Sequence, residues 1–281
     1  MKKIDLIYTR LRTEERMIAD ALRKRGCEVA LHQDADLVLT LDRQRWSDGE
    51  VVLMRSMSFT RSRYLAAIME AKGSRVVNSS RAISTCGDKA LTTLALAAHD
   101  VPVPWSFVGF EEEATLAEIE RRGYPVVTKP VQGSWGRMVA RLDARSAAEG
   151  MLSMRFGTGG AQDHVALVQE YVDKPGYDLR VYVIGKALGK GIRRRSEHWI
   201  TNTARGAVAE AYELPVAHAK LAERAAAAVG GEILAIDLLE TRSGDIQVNE
   251  INHCVEFARS IELSGIPLPE LIADHALGGA R

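Results

Sequence analysis

Residues 232–252 have the sequence EILAIDLLETRSGDIQVNEIN, and this stretch decides the fold. An apolar run, a polar turn at 241–245 and a second run of alternating residues predict a β-hairpin. Side chains alternate between the two faces of a strand, so Val248, Glu250 and Asn252 are expected on one face of the returning strand.

Asp237, on the first strand of this hairpin, is expected to reach the same space as Glu250 and Asn252. Two carboxylates and an amide oxygen form an all-oxygen donor set. Such a set suits Mg²⁺, which keeps several waters and takes its remaining ligands from phosphates. The hairpin alone is equally consistent with an ordinary strand pair whose polar edge faces water, so the upstream sequence decides between the two interpretations.

The composition is that of a globular protein without charge bias. The chain has 281 residues, with 37 Lys and Arg against 37 Asp and Glu, so net charge gives no argument for a nucleic acid or a membrane as partner. The apolar run at residues 4–8 is too short for a signal peptide or a membrane span. Three widely separated cysteines predict reduced thiols in a cytoplasmic protein and no structural zinc site.

Strand and helix patterns alternate over the first third of the chain, which predicts a parallel α/β unit. A helix with an apolar stripe follows Thr13, and a second helix is expected over residues 62–72. The predicted strands of this unit cover residues 4–8, 27–31, 36–39, 50–55 and 75–78.

Lys129 ends a predicted strand directly before the glycine-containing segment 132–137. Backbone N–H groups in such a loop can hold phosphates, because glycine allows close approach. The lysine precedes the glycines, so the segment is not the common nucleotide-binding loop in which Gly-Lys-Ser/Thr opens a helix. A plain hairpin turn explains the glycines equally well, and only the combination with the distant oxygen donors favours a nucleotide site.

In order and spacing, six segments of the chain resemble the ATP-grasp superfamily of carboxylate–amine ligases. These segments are 87–89 (GDK), 125–130 (PVVTKP), 133–137 (GSWGR), 169–172 (QEYV), 178–180 (DLR) and 249–252 (NEIN). Longer segments at 134–137, 198–206 and 252–257 are similar to the branch that contains ribosomal-protein glutamate ligases. Within that branch they are similar to the lysine-biosynthesis ligases that join α-aminoadipate to an amino-group carrier protein.

The resemblance implies an α/β (α+β) chain with a three-part ATP-grasp fold. A preATP-grasp α/β domain would cover residues 1–88, and a small central subdomain with a glycine-rich lid would cover 89–171. A C-terminal subdomain at 172–281 would carry the metal and substrate site.

The resemblance also implies a nucleotide site for ATP and two Mg²⁺ ions. The lid would close over the triphosphate and exclude water, while the hinge backbone would bind the adenine edge. Asp178 would bind a ribose hydroxyl, and Arg180 would hold the strand or a phosphate. The phosphate, lid, hinge and metal residues would be Lys89 and Lys129; Gly133, Ser134, Trp135, Gly136 and Arg137; Gln169, Glu170, Tyr171 and Val172; and Asp237, Glu250 and Asn252.

Arg194 points away from the face that Arg193 and Arg195 share. The resemblance implies that it would face the reacting carboxylate. Arg193 and Arg195 are expected to form a solvated basic edge. Arg205, beside Asn202, is a candidate for charge on the phosphate or acyl phosphate, and Asn202 is implied to contact the nucleotide as well.

The amino-acid pocket is implied at Thr203 and Ala204 and at the run Glu256, Phe257, Ala258, Arg259 and Ser260. That run is also consistent with a simple capped helix start. His198 and His253 are both expected to be structural histidines.

Two departures from the resemblance lie near this pocket. Gly206 is followed by Ala207 where the relatives carry a second glycine, and Arg193 stands where they tend to have an aromatic residue. Substrate identity is therefore the property that the resemblance transfers least safely.

The implied reaction converts a carboxylate to an acyl phosphate, which an amine then attacks. Positioning and charge neutralisation would supply the catalysis, which agrees with the lack of a nucleophile–base pair in the sequence. The expected acceptor is the C-terminal glutamate of a small acidic carrier protein, attracted by basic residues around 193–205, and the expected amine is α-aminoadipate or glutamate. The alternatives are a glutamate ligase acting on a ribosomal protein or a cofactor, and a nucleotide-binding regulator without ligase activity. A homodimer or homotetramer is expected by likeness.

Overall fold

The computed structural model of the protein describes residues 1–278 except 43, 134–135, 159, 161–163 and 202–205. Within these residues the backbone forms three sheets and nine helices. No helix in the described ranges is long and apolar enough to cross a membrane.

The first sheet is parallel, as predicted, with strand order β2-β1-β3-β4. Its elements are β1 (Lys3–Tyr8), α1 (Thr13–Lys24), β2 (Glu28–Gln33), β3 (Val51–Arg55), α2 (Phe59–Ala71) and β4 (Arg75–Val77). The strand predicted at 36–39 is wrong. Leu37 and Leu39 pack beside Trp46 at the edge of a core cluster, while Val38 between them is exposed and no partner strand is available.

The second sheet is antiparallel, with strand order β5-β8-β6-β7. The glycine-containing segment connects β6 to β7, and two helices cover one face of the sheet around Ile119 and Leu152. The elements are β5 (Ser106–Gly109), α5 (Glu112–Arg122), β6 (Val126–Pro130), β7 (Ala140–Leu142), α6 (Arg145–Thr158) and β8 (Ala166–Glu170).

The third sheet is antiparallel, with strand order β11-β10-β9-β12-β13, and contains the predicted hairpin as β12 and β13. Its elements are β9 (Tyr177–Ile184), β10 (Lys186–Arg195), β11 (Val208–Glu213), α7 (Val216–Val229), β12 (Ile233–Glu240) and β13 (Ile246–Asn252). The remaining helices are α3 (Ser80–Cys86), α4 (Lys89–Ala97), α8 (Ala258–Ser264) and α9 (Leu268–Ala276).

The first and third sheets share one hydrophobic core. Ile4 and Leu22 of the first unit pack in the same cluster as Tyr182 and Phe257 of the last. Asn78 strengthens this junction, since its side-chain amide donates to the carbonyls of Ile233 (2.7 Å) and His253 (2.9 Å). Its Oδ1 accepts from the N–H groups of Glu232 and Ile233.

The opposite face of the third sheet packs against α7 and the segment 86–101, where Leu96 and Val101 are buried. Residues 89–101 thus pack on the third sheet, although they were predicted to belong to the central subdomain. The subdomain boundaries at 88 and 171 stay predictions.

Candidate active site

One face of the third sheet changes from apolar to charged along its strands. On β9, Tyr182 and Ile184 face the shared core, and alternation places Arg180 and Asp178 farther along the same face. On β12, Ala235 faces this core, and Asp237 lies two residues farther along the same face. The polar ends of these strands are therefore anchored by a packed apolar base.

Asp237 is buried and held by two arginines. The Arg180 guanidinium donates to both of its oxygens at 2.7 and 2.8 Å, and Arg194 Nη2 lies 3.1 Å from Oδ2. Burial alone would raise the pKa of this carboxyl, but the charges and hydrogen bonds of Arg180 and Arg194 outweigh it and lower the pKa to about 2. Asp237 is therefore an anion over the whole physiological pH range.

Asp237 and Glu250 are direct partners in the register of β12 and β13, but the next pair is Leu238 with Val248. The shift is a β-bulge that leaves Asn249 as the extra residue. Val248 consequently lies in the core on the helix-covered face, and its predicted position on the same face as Glu250 and Asn252 is wrong. Simple alternation fails here because one residue interrupts it.

The three predicted metal donors lie along one cavity, which Asp237, Glu250 and Asn252 line together. The described residues contain no group of three His, Cys, Asp or Glu side chains that could hold a metal, so any ion here needs the amide and external ligands. Asn252 Nδ2 is buried and has no partner within the described residues. Two carboxylates with one amide oxygen fit Mg²⁺ that takes its other ligands from phosphate and water.

Two lysines approach this donor set from the other side. Lys129 Nζ is buried and donates to Gln169 Oε1 at 2.8 Å and Asn249 Oδ1 at 3.3 Å. Lys89 Nζ donates to the Gly133 carbonyl at 2.6 Å and lies 3.8 Å from Glu250 Oε1. Burial lowers the pKa of Lys129 to about 8, with Glu250 opposing and Lys89 assisting the shift.

Two cavities meet at Lys89, Gly133, Gly136, Asp237 and Glu250. The first extends from there to the end of β8, and the second extends toward the first sheet. The second has a volume of about 430 Å³, which is within the range typical of small-molecule sites. The carboxylates and lysines thus stand between a cavity on the hinge side and a cavity on the side of the first sheet.

The predicted hinge residues Gln169, Glu170, Tyr171 and Val172 line the first cavity where the chain leaves β8. Tyr171 links two parts of the molecule, since the Arg141 guanidinium of β7 lies 4.0 Å from its ring centroid. The ring of Trp199 packs against Tyr171 edge to face at 6.1 Å. The hinge is therefore held by contacts to the lid strand and to the segment after β10.

Asp178 and Arg194 form a buried pair inside the first cavity. Arg194 donates to Asp178 at 2.6 and 2.9 Å, and Thr201 Oγ1 donates to Asp178 Oδ2 at 2.5 Å. The Asp178 carboxylate is thus engaged by protein donors, and its contact with a ribose hydroxyl stays a prediction. Arg194 lies on the opposite strand face from Arg193 and Arg195, as alternation predicts.

Arg193 and Arg195 are less free than a solvated edge implies. Both ion-pair with Glu210, at 3.2 and 2.9 Å, and both guanidiniums lie over the Tyr177 ring. Arg193 also lies 4.7 Å from the Tyr212 ring centroid. One carboxylate thus faces two guanidiniums, so part of the charge that was expected to attract an acidic carrier is compensated on this face.

The run 256–260 divides between cavity and core. Glu256 and Arg259 line the second cavity, but Phe257 and Ser260 are 1% and 5% exposed and belong to the interior. Ser260 accepts a hydrogen bond from the Tyr182 hydroxyl at 2.5 Å. The half-buried Ala258 does not line the second cavity either, so the pocket role of these three residues has no support in the geometry.

Residues of the first unit fix this run in place. Glu14 Oε1 accepts from the N–H groups of Phe257 and Ala258, at 3.3 and 3.1 Å. Arg12 donates to Glu256 at 2.9 Å, and Arg55 donates to the Val255 carbonyl at 2.7 Å. The second cavity is therefore built by both ends of the chain.

Several predicted residues lie outside the described part of the chain, while the described lid residues line a cavity. Gly133, Gly136 and Arg137 line the first cavity, as the lid prediction requires. The predicted roles of the remaining residues stay predictions, and those residues are Ser134, Trp135, Asn202, Thr203, Ala204 and Arg205.

Sequence reasoning missed Asn249, Arg12, Lys174 and Thr201. Lys174 Nζ donates to Thr201 Oγ1 at 2.6 Å, and both residues line the first cavity. Lys174 stands four residues before Asp178, a spacing that a charge search around the hinge would have found. Arg12 gave no local signal, because its partner Glu256 is 244 residues away.

Comparison with known proteins matches two adjoining domain models to residues 4–275. The model of the RimK-like ATP-grasp domain matches residues 86–275, and that of the LysX preATP-grasp domain matches residues 4–85. A solved structure from Sphaerobacter thermophilus, a RimK-domain ATP-grasp protein, superposes with a TM-score of 0.82 at 30% identity and covers 98% of this chain and 100% of that one.

Two archaeal ligases are similar over nearly their full lengths. The α-aminoadipate–LysW ligase LysX of Saccharolobus solfataricus is 32% identical, over 94% of this chain and 97% of the relative. The glutamate–LysW ligase ArgX of Sulfolobus acidocaldarius is 30% identical, over 97% of each chain. The resemblance and the fold class predicted from the sequence are thereby confirmed.

Proposed function

This chain belongs to the RimK-like ATP-grasp family of ATP-dependent ligases, and from that premise we propose that it joins a free amino acid to a carrier protein. The α-amine of α-aminoadipate or glutamate would be ligated to the C-terminal glutamate carboxylate of a small acidic carrier, in lysine or arginine biosynthesis. The names of the LysX and ArgX relatives support both amino acids, at 32% and 30% identity.

One observation carries this proposal: the lysines and carboxylates stand where two cavities meet. A ligase of this kind must bring a triphosphate and an acceptor carboxylate together at one point. The hinge-side cavity would take the nucleotide, and the backbone of Gln169 to Val172 would contact its adenine. The cavity toward the first sheet would take the acceptor and the amino acid.

Lys89 and Lys129 would bind the phosphates as point charges once they exchange their present partners, the Gly133 carbonyl and Gln169. Asp237, Glu250 and Asn252 would hold Mg²⁺, which ATP-grasp ligases use with ATP, and we infer two ions. When bound, the metal would neutralise charge on the β- and γ-phosphates. Arg180 and Arg194 would keep Asp237 ionised and oriented.

In the first half-reaction an acceptor carboxylate oxygen attacks the γ-phosphorus, the bond to the β-phosphate oxygen breaks, and ADP leaves. In the second, the neutral amine attacks the carbonyl carbon of the acyl phosphate, inorganic phosphate leaves, and the amine proton passes to solvent. The chain supplies positive charge and exclusion of water to both steps. Asn202 and Arg205 remain candidates for the transferring phosphate.

An ADP-release assay tests the proposal, with carrier, α-aminoadipate and glutamate omitted in turn. Release that requires a carrier and one of the amino acids is the expected result, and the amino acid with the higher kcat/KM identifies the pathway. Release with a ribosomal protein or a cofactor as acceptor, and with no carrier, would replace the proposal by the alternative glutamate ligase. ATP binding without ADP release under all conditions would indicate a regulatory module. Light scattering of the same sample tests the proposed homodimer or homotetramer.

A further inference from the structure

The second cavity opens beside the first turn of α2. Ser56, Met57 and Phe59 line it there, opposite Arg259. The Met57 N–H donates to Thr9 Oγ1 at 2.8 Å, which ties this corner to the loop that contains Arg12. The entrance of the cavity is therefore formed both by residues of the first unit and by residues that follow the third sheet.

We call Met57, Phe59, Arg63 and Tyr64 the α2 ledge. The Arg63 guanidinium lies 5.8 Å from the Phe59 ring centroid and 5.1 Å from that of Tyr64, so the three side chains form one continuous layer. Tyr64 is 57% exposed and Met57 36% exposed, so the layer faces solvent.

The Phe59 ring packs against the backbone of Gly87. A Cβ atom placed on Gly87 would lie 2.0 Å from two atoms of the Phe59 ring, so the ring packs directly on the backbone that precedes Asp88 and Lys89. The α2 ledge is thus built on the same turn that presents Lys89 to the proposed triphosphate.

Two cations at this entrance, Arg63 and Arg259, have no carboxylate partner among the described residues. No ion pair or hydrogen bond in this part of the chain involves either side chain, and the Arg63 guanidinium lies beside two aromatic rings. Arg61, next along α2, has a single 3.3 Å contact with the buried Asp34. Arg12, in contrast, pairs with Glu15 and Glu256, and Arg193 and Arg195 share Glu210.

The whole chain has a formal net charge of zero, so this uncompensated charge is a local property of the entrance. An anionic partner would gain attraction here without displacing an existing ion pair. Exposed rings stacked with a guanidinium give the same partner an apolar contact next to the charge.

We propose that the α2 ledge is the docking surface for an acidic peptide segment whose carboxyl-terminal end enters the second cavity. This inference rests on the proposed function, because it names how the acceptor reaches the site. Carboxylates of the segment would pair with Arg63, the rings of Phe59 and Tyr64 would contact its apolar atoms, and Arg259 would meet the end that enters.

The probe is a fluorescein-labelled decapeptide of Glu, Asp and Gly that ends in a free glutamate, measured by fluorescence anisotropy without nucleotide. Its matched partner replaces every side-chain carboxylate by an amide. Binding of the acidic peptide is expected to weaken by about tenfold or more with Arg63→Glu and by several-fold with Tyr64→Ala, since charge reversal and loss of a ring both act at the contact. High salt should weaken the wild type far more than Arg63→Glu.

Lys24→Glu is the control, because Lys24 ends α1 about 17 Å along the helix axis from the cavity, at 1.5 Å per residue. It makes the same change of charge and should bind the peptide like the wild type. Unchanged melting temperature and unchanged ATP affinity in Arg63→Glu show that the variant is folded.

Equal affinities in wild type and Arg63→Glu, or equal affinities for the acidic and the amide peptide, would overturn the docking surface. So would a change of oligomeric state in Arg63→Glu with peptide binding intact, because the ledge would then face a second copy of the chain. The two proposals fail separately. If the peptide binds in an Arg63-dependent way but no ADP is released, only the proposed ligase function is refuted. If the carrier is ligated with an unchanged carrier KM in Arg63→Glu, only the proposed docking surface is refuted.

Discussion

Arg180 and Asp237 face each other on paired strands, and the guanidinium donates to both oxygens of the carboxylate at 2.7 and 2.8 Å. Asp237 is therefore a structural anion as well as a proposed metal ligand, since Arg194 is held against it too.

Asp237→Asn is expected to lower both stability and turnover. The substitution leaves the half-buried Arg180 without its carboxylate and leaves Arg194 with Asp178 alone, and removing one partner of a buried ion pair typically costs about 3–5 kcal/mol. Urea unfolding followed by circular dichroism measures the loss. A variant as stable as the wild type would show that Arg180 and Arg194 find other partners.

Glu250→Ala is expected to abolish turnover and leave the fold largely intact. Glu250 is half-buried, and its one ion pair within the described residues is a 3.8 Å contact with Lys89, so the free energy of unfolding should change by about 1 kcal/mol or less. Glu213→Ala is the control, because Glu213 is an exposed strand residue that pairs with Lys190 at the surface. Normal ADP release by the Glu250 variant would refute the metal assignment.

Nucleotide affinity should decline as pH rises through about 8. The pKa of Lys129 is lowered to about 8 by burial, so the free protein loses this positive charge well below the ordinary lysine pKa. The dissociation constant for a nonhydrolysable ATP analogue should then rise by up to about tenfold per pH unit above 8. Lys129→Met should bind weakly with no such step, and a flat wild-type profile between pH 7 and 9 would contradict the assignment.

The same pKa shift predicts that the contribution of Lys129 to folding stability improves as pH rises, whereas nucleotide affinity declines. The folded-state pKa of Lys129 lies below its value in the unfolded chain, so the cost of burying the charged form is fully present below pH 8. That cost disappears as pH rises from about 8 toward 10.5. The contribution of Lys129, obtained as the difference between wild type and Lys129→Met in urea unfolding, should therefore become more favourable with pH in this window.

Asn78→Ala should destabilise the junction of the first and third sheets. It removes four hydrogen bonds, two of them fully buried, each with a typical net contribution of about 0.5–1.5 kcal/mol. Asn78→Asp keeps an acceptor for Glu232 and Ile233 but loses both donated bonds. Chemical denaturation of both variants should show a large loss, and stability near that of the wild type would mean that the side chain is dispensable.

The sequence predicted the elements of the site better than their connections. The hairpin was placed to within a residue because turn residues flank two apolar runs, and Lys129 was placed at a strand end for the same reason. Alternation correctly separated Arg194 from its neighbours. These are local properties, determined within about ten residues.

The failures are long-range or concern exceptions to regular geometry. The contacts of Arg12 with Glu256 and of Asn78 with His253 join residues 244 and 175 positions apart, which no local pattern reveals. The ion pair of Arg193 with Glu210 depends on strand pairing that only the fold defines. The bulge at Asn249 contains no glycine that would have signalled it.

The extra residue in β13, Asn249, lets the apolar side chains of the strand face the core while its polar side chains face the cavity. With Asn249 deleted, a regular strand would still point Val248 and Ile251 at the helices and Glu250 and Asn252 at the cavity, and only the hydrogen bond to Lys129 would vanish. An insertion next to it would leave two extra residues opposite β12 and three steps between Val248 and Glu250, so alternation would again place these two side chains on opposite faces. The hairpin can thus be shortened here into a regular strand, whereas lengthening it would enlarge the irregularity in its pairing with β12.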